Sequence, residues 1–297
     1  MTIDDVKRIA VIGAGQMGSQ IAMQAALHGY AVTLNDLSPA ILEKAMATNR
    51  SHLERRVGKG QMTTEAMTAA VGRVRLEPEL EQAVRDADFV VEAIVERLEP
   101  KKECFARLDR AAPRHAILAT NSSTLGNSLI APATGRPEKC VNMHFFFPPL
   151  VMRLVEVVKG ERTSEETLEV TAALTRRIGR DPVVLRKELP GFLVNRILRA
   201  LGTEAYSLLE QGVAPFWEID RAVELGLNFP MGPFRLGDLS GLDIGYHARL
   251  ETYERTKDPR DRPPRELAKR VERGDLGRKT GRGFYDYSKN PPEPIRE

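Results

Sequence analysis

Short apolar runs alternate with longer amphipathic stretches over the first two-thirds of the chain. Residues 8–12 (Arg-Ile-Ala-Val-Ile) form an apolar run that is typical of a strand buried on both faces. Residues 16–29 then place apolar side chains near helical spacing, and Gly29 marks the predicted end of that helix. Residues 31–35 predict a second strand, after which Ser38-Pro39 predicts the start of a long helix. The order is strand, helix, strand, helix.

Further apolar runs predict more strands, and helical stretches lie between several of them. These runs are residues 88–91, 116–120, 141–144, 154–158 and 183–185. Because strand alternates with helix, we predict a doubly wound, parallel α/β sheet of the Rossmann type. A helical hairpin from Pro39 to about Val71 is predicted as an insertion in that alternation.

After Pro190-Gly191 the pattern changes to helical spacing. Four stretches are amphipathic or helical there, namely residues 192–210, 218–225, 237–253 and 265–272. Strand signal returns only at Gly283-Phe-Tyr-Asp-Tyr287. We therefore predict a sheet domain over residues 1–188 and an all-α domain over residues 189–297.

The composition is that of an ordinary globular protein. With 42% hydrophobic and 29% charged residues among 297, the chain is neither disordered nor collagen-like. A net charge of +3 suits an acidic small molecule and is too small to indicate nucleic-acid binding. The two cysteines, Cys104 and Cys140, form no CxxC pair and no Cys/His cluster, which argues against a disulfide framework or a structural zinc site and favours a reducing compartment. We expect no metal site, no membrane span and a cytoplasmic location.

A glycine-rich segment follows the first predicted strand and opens the first predicted helix. It reads Gly13-Ala-Gly15-Gln16-Met17-Gly18. In a dinucleotide fingerprint the first glycine makes the tight turn, the second admits a pyrophosphate and the third lets helix and strand pack closely. Asp36 ends the next strand at the usual spacing of about 20 residues, where it would accept hydrogen bonds from the adenosine ribose. Leu37-Ser38 follows without an arginine, so we predict NAD rather than NADP as the cofactor.

Four polar residues occur in later segments where chemistry is expected. Ser123 follows a predicted strand at its carboxyl end, where ligands of open α/β sheets gather. His144 closes the next strand, Glu156 lies in the strand after it, and Asn195 lies in a predicted helix. Singly, each has an ordinary explanation: Ser123 as a helix N-cap, His144 as a core histidine, Glu156 on the solvent side of a strand and Asn195 facing water.

Several motifs in order make the chain similar to the L-3-hydroxyacyl-CoA dehydrogenase family, which includes 3-hydroxybutyryl-CoA dehydrogenases. The resemblance runs nearly end to end, from Val11 to Tyr285, and its other matching stretches are Glu92-Ala-Ile-Val-Glu96, Pro190-Gly-Phe-Leu-Val-Asn-Arg196 and Pro230-Met-Gly-Pro-Phe234. It implies reversible, NAD-dependent oxidation of an L-3-hydroxyacyl-CoA to a 3-ketoacyl-CoA, as in fatty acid metabolism. Acyl chain length and pathway stay open.

The resemblance also implies roles for the four polar residues. His144 would be the general base, held and polarised by Glu156, while Ser123 and Asn195 would hydrogen-bond the reacting oxygen of the substrate. Histidine suits this task because imidazole side chains in general titrate near neutral pH. A carboxylate at the far ring nitrogen fixes the tautomer and stabilises the imidazolium that forms.

Further contacts with the cofactor are carried over from the family. Glu96 and Lys101 match a glutamate and a lysine near the nicotinamide ribose, and Asn121, with Ser123, matches the support of the nicotinamide region. The alternative is ordinary surface charge and turn chemistry.

A basic stretch of the predicted hairpin matches the part of the family that grips coenzyme A. Ser51, or His52 if the alignment shifts by one, would contact CoA together with Lys59. Arg55 and Arg56 add charge that could meet its phosphates. A solvated basic helix face is the alternative.

The chain departs from the family pattern at two positions. The usual His-Phe-Phe-Asn-Pro reads His144-Phe-Phe-Phe-Pro148, so Phe147 removes an amide that touches the cofactor in relatives. Arg97 replaces a common asparagine. We expect an altered site rather than an inactive one.

The resemblance implies a homodimer formed through the helical domain, whose apolar faces need covering. Phe216 and Trp217 are candidates for that contact or, alternatively, for the core. Two rival functions remain: a dehydrogenase of a free 3-hydroxy acid, of carnitine or gulonate type, and a non-catalytic, dinucleotide-binding relative of crystallin type. Activity on free acids without CoA would indicate the first, and NADH binding without turnover the second.

Overall fold

A large sheet covered by helices on both faces forms most of the first 193 residues. The computed structural model describes residues 1–296, apart from the side chains of residues 255 and 256. It divides into two compact units, Met1–Leu193 and the residues from Val194 onward. The two domains predicted from the sequence, residues 1–188 and 189–297, stay a prediction.

The first unit contains eight strands and seven α-helices. The strands are β1 Arg8–Ile12, β2 Ala31–Asn35, β3 Val74–Glu77, β4 Phe89–Glu92, β5 Ile117–Thr120, β6 Cys140–Phe145, β7 Leu154–Val158 and β8 Asp181–Leu185. The helices are α1 Gln16–Leu27, α2 Pro39–Gly58, α3 Thr64–Gly72, α4 Leu80–Val84, α5 Leu98–Ala111, α6 Asn127–Ile130 and α7 Glu165–Arg177.

The sheet has the order β3-β2-β1-β4-β5-β6-β7-β8. All neighbours from β3 to β6 are parallel, which confirms the predicted doubly wound fold. The sheet departs from the predicted parallel arrangement at one pair only, since β7 runs antiparallel to β6, with β8 parallel to β7. The reason is the short connection over residues 146–153, because a parallel crossover needs about a dozen residues or more.

Alternate residues of the central strands enter two separate cores. On β1, Ile9 and Val11 pack with α1 and α7, whereas Ala10 and Ile12 pack on the opposite face with α4 and α5. A strand that is covered on both sides has to be apolar throughout, which is why its sequence shows a continuous run. The sheet's carboxyl ends are thereby held between two packed layers.

The predicted hairpin insertion is present as α2 and α3. Ser38 caps α2 by accepting a hydrogen bond from the backbone N–H of Ile41, as the Ser-Pro signal predicted. Sequence reasoning missed β3, the edge strand that follows the hairpin and pairs with β2. Apolar and charged residues alternate in β3, and none of its side chains is fully buried. The sequence of this strand therefore contains no apolar run.

The described part of the second unit, residues 194–296, contains five α-helices and a short two-stranded sheet. Its elements are α8 Val194–Glu210, α9 Phe216–Leu227, α10 Pro233–Ser240, α11 Leu242–Thr256, α12 Arg265–Arg273, β9 Tyr285–Asp286 and β10 Glu293–Pro294. The single helical stretch predicted over 237–253 is wrong, because Gly241 adopts a left-handed φ of 98° and separates α10 from α11. Phe216, a candidate for dimer contacts, is buried in this unit's own core, and Trp217 packs edge-on against it.

Two buried carboxylates tie the elements of the second unit together. Asp220 accepts hydrogen bonds from the backbone of Phe234 at 2.8 Å and from the hydroxyl of Tyr285 at 2.8 Å. Asp238 accepts from the backbone N–H groups of Phe284 and Tyr285, both at 2.9 Å. Burial raises the pKa of both carboxyls, that of Asp220 to about 6, and these hydrogen bonds only partly oppose the shift.

This raised pKa predicts a pH-dependent stability. The native state holds the Asp220 proton more tightly than the unfolded chain, so the stabilisation is present at low pH and is lost as pH rises from about 4 to about 6. We expect the free energy of unfolding of the wild type, relative to Asp220→Asn, to fall by up to about 3 kcal/mol over that range. Urea unfolding at several pH values measures it, and a constant difference would contradict the prediction.

None of the helices in the described part of the chain is long and apolar enough to cross a membrane.

Candidate active site

The glycine-rich loop lies where β1 ends and α1 begins, beside the end of β4. Gly13 has φ of 99°, and a Cβ there would lie 2.6 Å from the carbonyl oxygen of Ala93. A Cβ on Gly18 would lie 1.9 Å from the carbonyl oxygen of Gly13. By contrast, a Cβ on Gly15 would meet no described atom within 4 Å. The loop is thus packed tightly at Gly13 and Gly18 and is open at Gly15, directly at the N-terminus of α1.

That open face fits the pyrophosphate of a dinucleotide. Gly15 is the N-cap of α1, and Gln16 and Met17 are the first two residues of the helix. The free backbone N–H groups of this first turn therefore lie beside the opening. The Asp36 carboxylate closes the other side of the loop, accepting from the backbone N–H of Ala14 at 2.9 Å. It also accepts from the N–H of Ser38 at 3.2 Å, which fixes its orientation.

His144 and Glu156 are direct partners across the antiparallel pair β6–β7. Their Cα positions are in register, and His144 Nδ1 lies 2.9 Å from Glu156 Oε2. His144 is 5% exposed and Glu156 is fully buried, so Glu156 does not lie on the solvent side of its strand. The other oxygen, Oε1, accepts from the backbone N–H of Leu193 at 3.1 Å. The carboxylate is therefore fixed from two directions and aimed at the imidazole.

Aromatic rings support the imidazole. The ring of Phe146 lies 4.7 Å from that of His144, and the ring of Phe192 lies at 5.5 Å. Phe192 itself adopts a left-handed φ of 49°. Neither phenylalanine was singled out from the sequence. Together they limit the orientations open to the His144 side chain.

Lys101 lies in a buried ion pair rather than on the surface. Its Nζ is 2.7 Å from Glu92 Oε1, and the two side chains are 1% and 0% exposed. Glu92 Oε2 accepts from the hydroxyl of Thr120 at 2.7 Å, and Oε1 also accepts from the N–H of Ile94 at 2.8 Å. The surface-charge alternative for Lys101 is therefore wrong. Sequence reasoning assigned no role to Glu92. The available signal was its position, because Glu92 is the last residue of the buried strand β4, much as Asp36 directly follows β2.

Glu96 connects that ion pair to the loop after β5. Its Oε2 lies 3.3 Å from Lys101 Nζ. Its Oε1 accepts from the hydroxyl of Ser122 at 2.6 Å and from the backbone N–H groups of Ser123 and Thr124, both at 2.9 Å. Burial alone would raise the pKa of the Glu96 carboxyl, but the Ser122 hydroxyl and the Lys101 charge outweigh it and lower that pKa to about 2. The Glu96 carboxyl is therefore ionised at neutral pH, at the carboxyl edge of the sheet.

Ser123 and Asn121 lie on the same loop. Ser123 Oγ is 3.4 Å from Glu96 Oε1, close to the limit of a hydrogen bond. The side-chain oxygen of Asn121 accepts from the backbone N–H of Phe145 at 2.9 Å, which ties the end of β5 to the residue after His144. Ser123 therefore belongs to the hydrogen-bond network of Glu96, whereas the Asn121 side chain bonds to the end of β6.

The predicted CoA-contacting residues lie on α2. Ser51 and Lys59 are both exposed, about 12 Å apart along the helix axis. Arg55 is exposed and donates to the carbonyl oxygen of Ser51 at 3.3 Å. Arg56 instead donates to the backbone carbonyl of Leu150, so its guanidinium is turned towards the protein. Asn195 is the second residue of α8 and belongs to the other compact unit.

Within the part of the chain that the structure describes, no group of three or more His, Cys, Asp or Glu side chains is placed to hold a metal ion.

Two family models match consecutive stretches of the chain. The NAD-binding domain of 3-hydroxyacyl-CoA dehydrogenase matches residues 8–189, and the C-terminal domain of the same enzyme matches residues 191–287. The chain belongs to the 3-hydroxyacyl-CoA dehydrogenase family. The predictions of an oxidoreductase and of NAD as its cofactor are confirmed.

Individual relatives cover nearly the whole chain. A probable 3-hydroxybutyryl-CoA dehydrogenase of Bacillus subtilis is 41% identical over 283 residues, 95% of this chain and 98% of that protein. The mitochondrial hydroxyacyl-coenzyme A dehydrogenase of Homo sapiens is 39% identical over 294 residues, 95% of this chain and 91% of that protein. The crystal structure of a (S)-3-hydroxybutyryl-CoA dehydrogenase from Ralstonia eutropha aligns with a TM-score of 0.90 at 36% identity, covering 96% of this chain and all of that one.

Phe147, where this chain departs from the family pattern, is 56% exposed. It follows directly on Phe146, which packs against His144. An exposed apolar ring thus stands two positions after Phe145, at the position where the resemblance implies an amide.

Proposed function

We propose that this dehydrogenase interconverts short-chain L-3-hydroxyacyl-CoA and 3-ketoacyl-CoA, with His144 as the acid–base group. The observation that carries the proposal is the buried His144–Glu156 pair at the carboxyl edge of an NAD-binding sheet. The Glu156 carboxylate lies 2.9 Å from one ring nitrogen of His144. If the role of this residue were packing alone, an apolar side chain would fill the space without the free-energy cost of burying a charge. The relatives named 3-hydroxybutyryl-CoA dehydrogenase favour a four-carbon acyl group.

The hydrogen bond fixes which nitrogen of His144 reacts. An ionised carboxylate only accepts hydrogen bonds, so Nδ1 carries the proton and Nε2 presents its lone pair. In oxidation, Nε2 takes the hydroxyl proton of the substrate, and Glu156 stabilises the imidazolium that results. In reduction, the same imidazolium returns the proton to the forming alkoxide. Bound NAD supplies the acceptor or donor of the hydride.

The remaining residues hold the reactants in place. Ser123 and Asn195 would hydrogen-bond the reacting oxygen, which restricts its approach to His144. Most of the groups that donate hydrogen bonds to Glu96 bond to its Oε1. Its Oε2, which lies beside Lys101, therefore keeps lone pairs for a hydroxyl of the nicotinamide ribose. Asp36 would accept from the adenosine ribose and repel a 2′-phosphate. Ser51 and Lys59 would contact CoA.

Two further proposals concern assembly and location. Apolar side chains on the helices of the second unit are more than half exposed, among them Ile197, Leu225 and Ile244. A second copy of this chain would cover them, and sedimentation equilibrium that gives twice the chain mass would support this dimer. A cytoplasmic location stays a prediction.

The function is tested by oxidation of (S)-3-hydroxybutyryl-CoA with NAD, followed by NADH absorbance. The controls are the R isomer, free (S)-3-hydroxybutyrate and NADP in place of NAD. Turnover confined to the S thioester with NAD supports the proposal. Turnover of the free acid alone would establish the rival hydroxy-acid dehydrogenase, and NADH binding without any turnover would establish the non-catalytic rival.

A further inference from the structure

The connection over residues 146–153 joins the two strands that carry the acid–base pair. It begins two residues after His144 and ends three residues before Glu156. Its side chains are mixed, since Leu150 is buried in the main core while Phe147, Val151 and Met152 are exposed. Because the segment contains no helix or strand, other contacts have to hold it.

Three polar side chains from separate elements hold the middle of this connection. Gln20 on α1 accepts from the backbone N–H of Leu150 at 3.3 Å. Arg180, just before β8, donates to the carbonyl oxygen of Pro149 from Nε at 3.1 Å and from Nη2 at 2.7 Å. Arg56 on α2 donates to the carbonyl oxygen of Leu150. The segment is thus bonded through two adjacent carbonyls to two guanidinium groups.

Arg56 differs from its neighbour Arg55 in what it contacts. Arg55 bonds within its own helix, to the carbonyl of Ser51 and to His52 Nδ1 at 3.0 Å. Arg56 reaches across to the connection, 94 positions along the chain. Burial, followed by the charge of Arg56, lowers the pKa of Arg180, which agrees with two cations lying close together. The Arg56 guanidinium therefore bonds to the protein backbone at Leu150.

We propose that Arg56 is a positioning residue that couples the CoA-contacting helix α2 to the connection between the strands of His144 and Glu156. The inference rests on the proposed function, in which Ser51 and Lys59 of the same helix contact CoA. Hydrogen bonds from a charged donor are about twice as strong as neutral ones, so this contact fixes the segment firmly. The same segment carries Phe146, whose ring lies 4.7 Å from that of His144. A displacement of about 1 Å at a reacting group costs up to about a hundredfold in rate.

The test uses Arg56→Met and two thioesters with NADH. One is acetoacetyl-CoA and the other is acetoacetyl-N-acetylcysteamine, which has the reacting group without the nucleotide and its phosphates. We expect the turnover number to fall about tenfold or more with both thioesters, because the defect lies at the acid–base pair. The Kd for NADH is expected to stay unchanged. Arg73→Met is the matched control, since Arg73 also donates to a backbone carbonyl, that of Ala26 at 3.3 Å. Its turnover number is expected to stay unchanged with both thioesters.

Two results would overturn the inference. A higher KM for acetoacetyl-CoA alone, with normal turnover of the short thioester, would make Arg56 a phosphate ligand. A lower Tm with unchanged turnover of both would make its role purely structural.

Arg56→Lys keeps the test decisive if Arg56→Met does not fold. A lysine ammonium can still donate to the Leu150 carbonyl, but from a shorter side chain and without the planar geometry of the guanidinium, so we expect a partial, about threefold loss with both thioesters. An unchanged turnover number in Arg56→Lys would overturn the inference. A wild type that turns over neither thioester would instead overturn the proposed function.

Discussion

Replacing His144 with glutamine is expected to lower the turnover number for acetoacetyl-CoA reduction by about a thousandfold. Proton transfer by a positioned side chain contributes about 10²–10⁴-fold, and glutamine cannot take up or release a proton at this position. Its amide can still donate to Glu156, so the buried carboxylate keeps a partner and the fold is expected to persist. Initial rates with NADH, together with Tm and the Kd for NADH, measure the effect.

His115→Gln is the matched control for this substitution. His115 also lies beside a carboxylate, with Nε2 3.0 Å from Asp88 Oδ1, but Asp88 lies at the amino end of β4, away from the glycine loop. We expect its turnover number to stay within about twofold of the wild type, because surface substitutions distant from a site have small effects. Comparable losses in both variants would argue that His144 acts through stability alone.

Replacing Lys101 with methionine is expected to lower the free energy of unfolding by about 3–5 kcal/mol. The substitution leaves the carboxylate of Glu92 buried without its cation, and breaking a buried pair from one side carries a cost of that order. NADH binding is expected to weaken as well, because Glu96 loses the charge that lies 3.3 Å from its Oε2. Urea unfolding followed by circular dichroism and a fluorescence titration with NADH measure the two effects.

The adjacent lysine provides the control. Lys102 pairs with Glu99 at 3.2 Å, where Glu99 is exposed and Lys102 is partly exposed, so Lys102→Met is expected to change stability by less than about 1 kcal/mol. A double variant, Glu92→Gln with Lys101→Met, removes both charges and is expected to recover most of the loss. If the single and double variants are equally unstable, the loss arises from packing and the uncompensated charge is not its cause.

Local signals in the sequence were sufficient to predict the beginning of the fold. The apolar run of β1, the glycines at positions 13, 15 and 18, and the Ser-Pro start of α2 each have a mechanism that operates within a few residues. The candidate acid–base pair was predicted through the family resemblance, because His144 and Glu156 each have an ordinary explanation when taken alone. The antiparallel turn that places them in register depends on pairing across the sheet.

Burial and side-chain direction could not be predicted from local pattern. Lys101 reads as an ordinary charge on an amphipathic helix, and its burial depends on Glu92, which lies on a different element. Arg55 and Arg56 are identical in type and adjacent, yet only the rotation of α2 against the residue 146–153 connection decides which one reaches Leu150. The edge strand β3 escaped for a related reason, since a half-exposed strand carries no apolar run.

Phe147 is the departure from the family pattern that lies nearer in sequence to His144, so a change at this position tests the proposed function directly. The measurement is the initial rate of NADH oxidation by the wild type with acetoacetyl-CoA, run beside Phe147→Asn. We expect the wild type to turn over, and Phe147→Asn to change the rate or the cofactor affinity without creating the activity. A wild type that is silent while Phe147→Asn is active, or silence from both, would contradict the claim that this site reduces a short 3-ketoacyl-CoA.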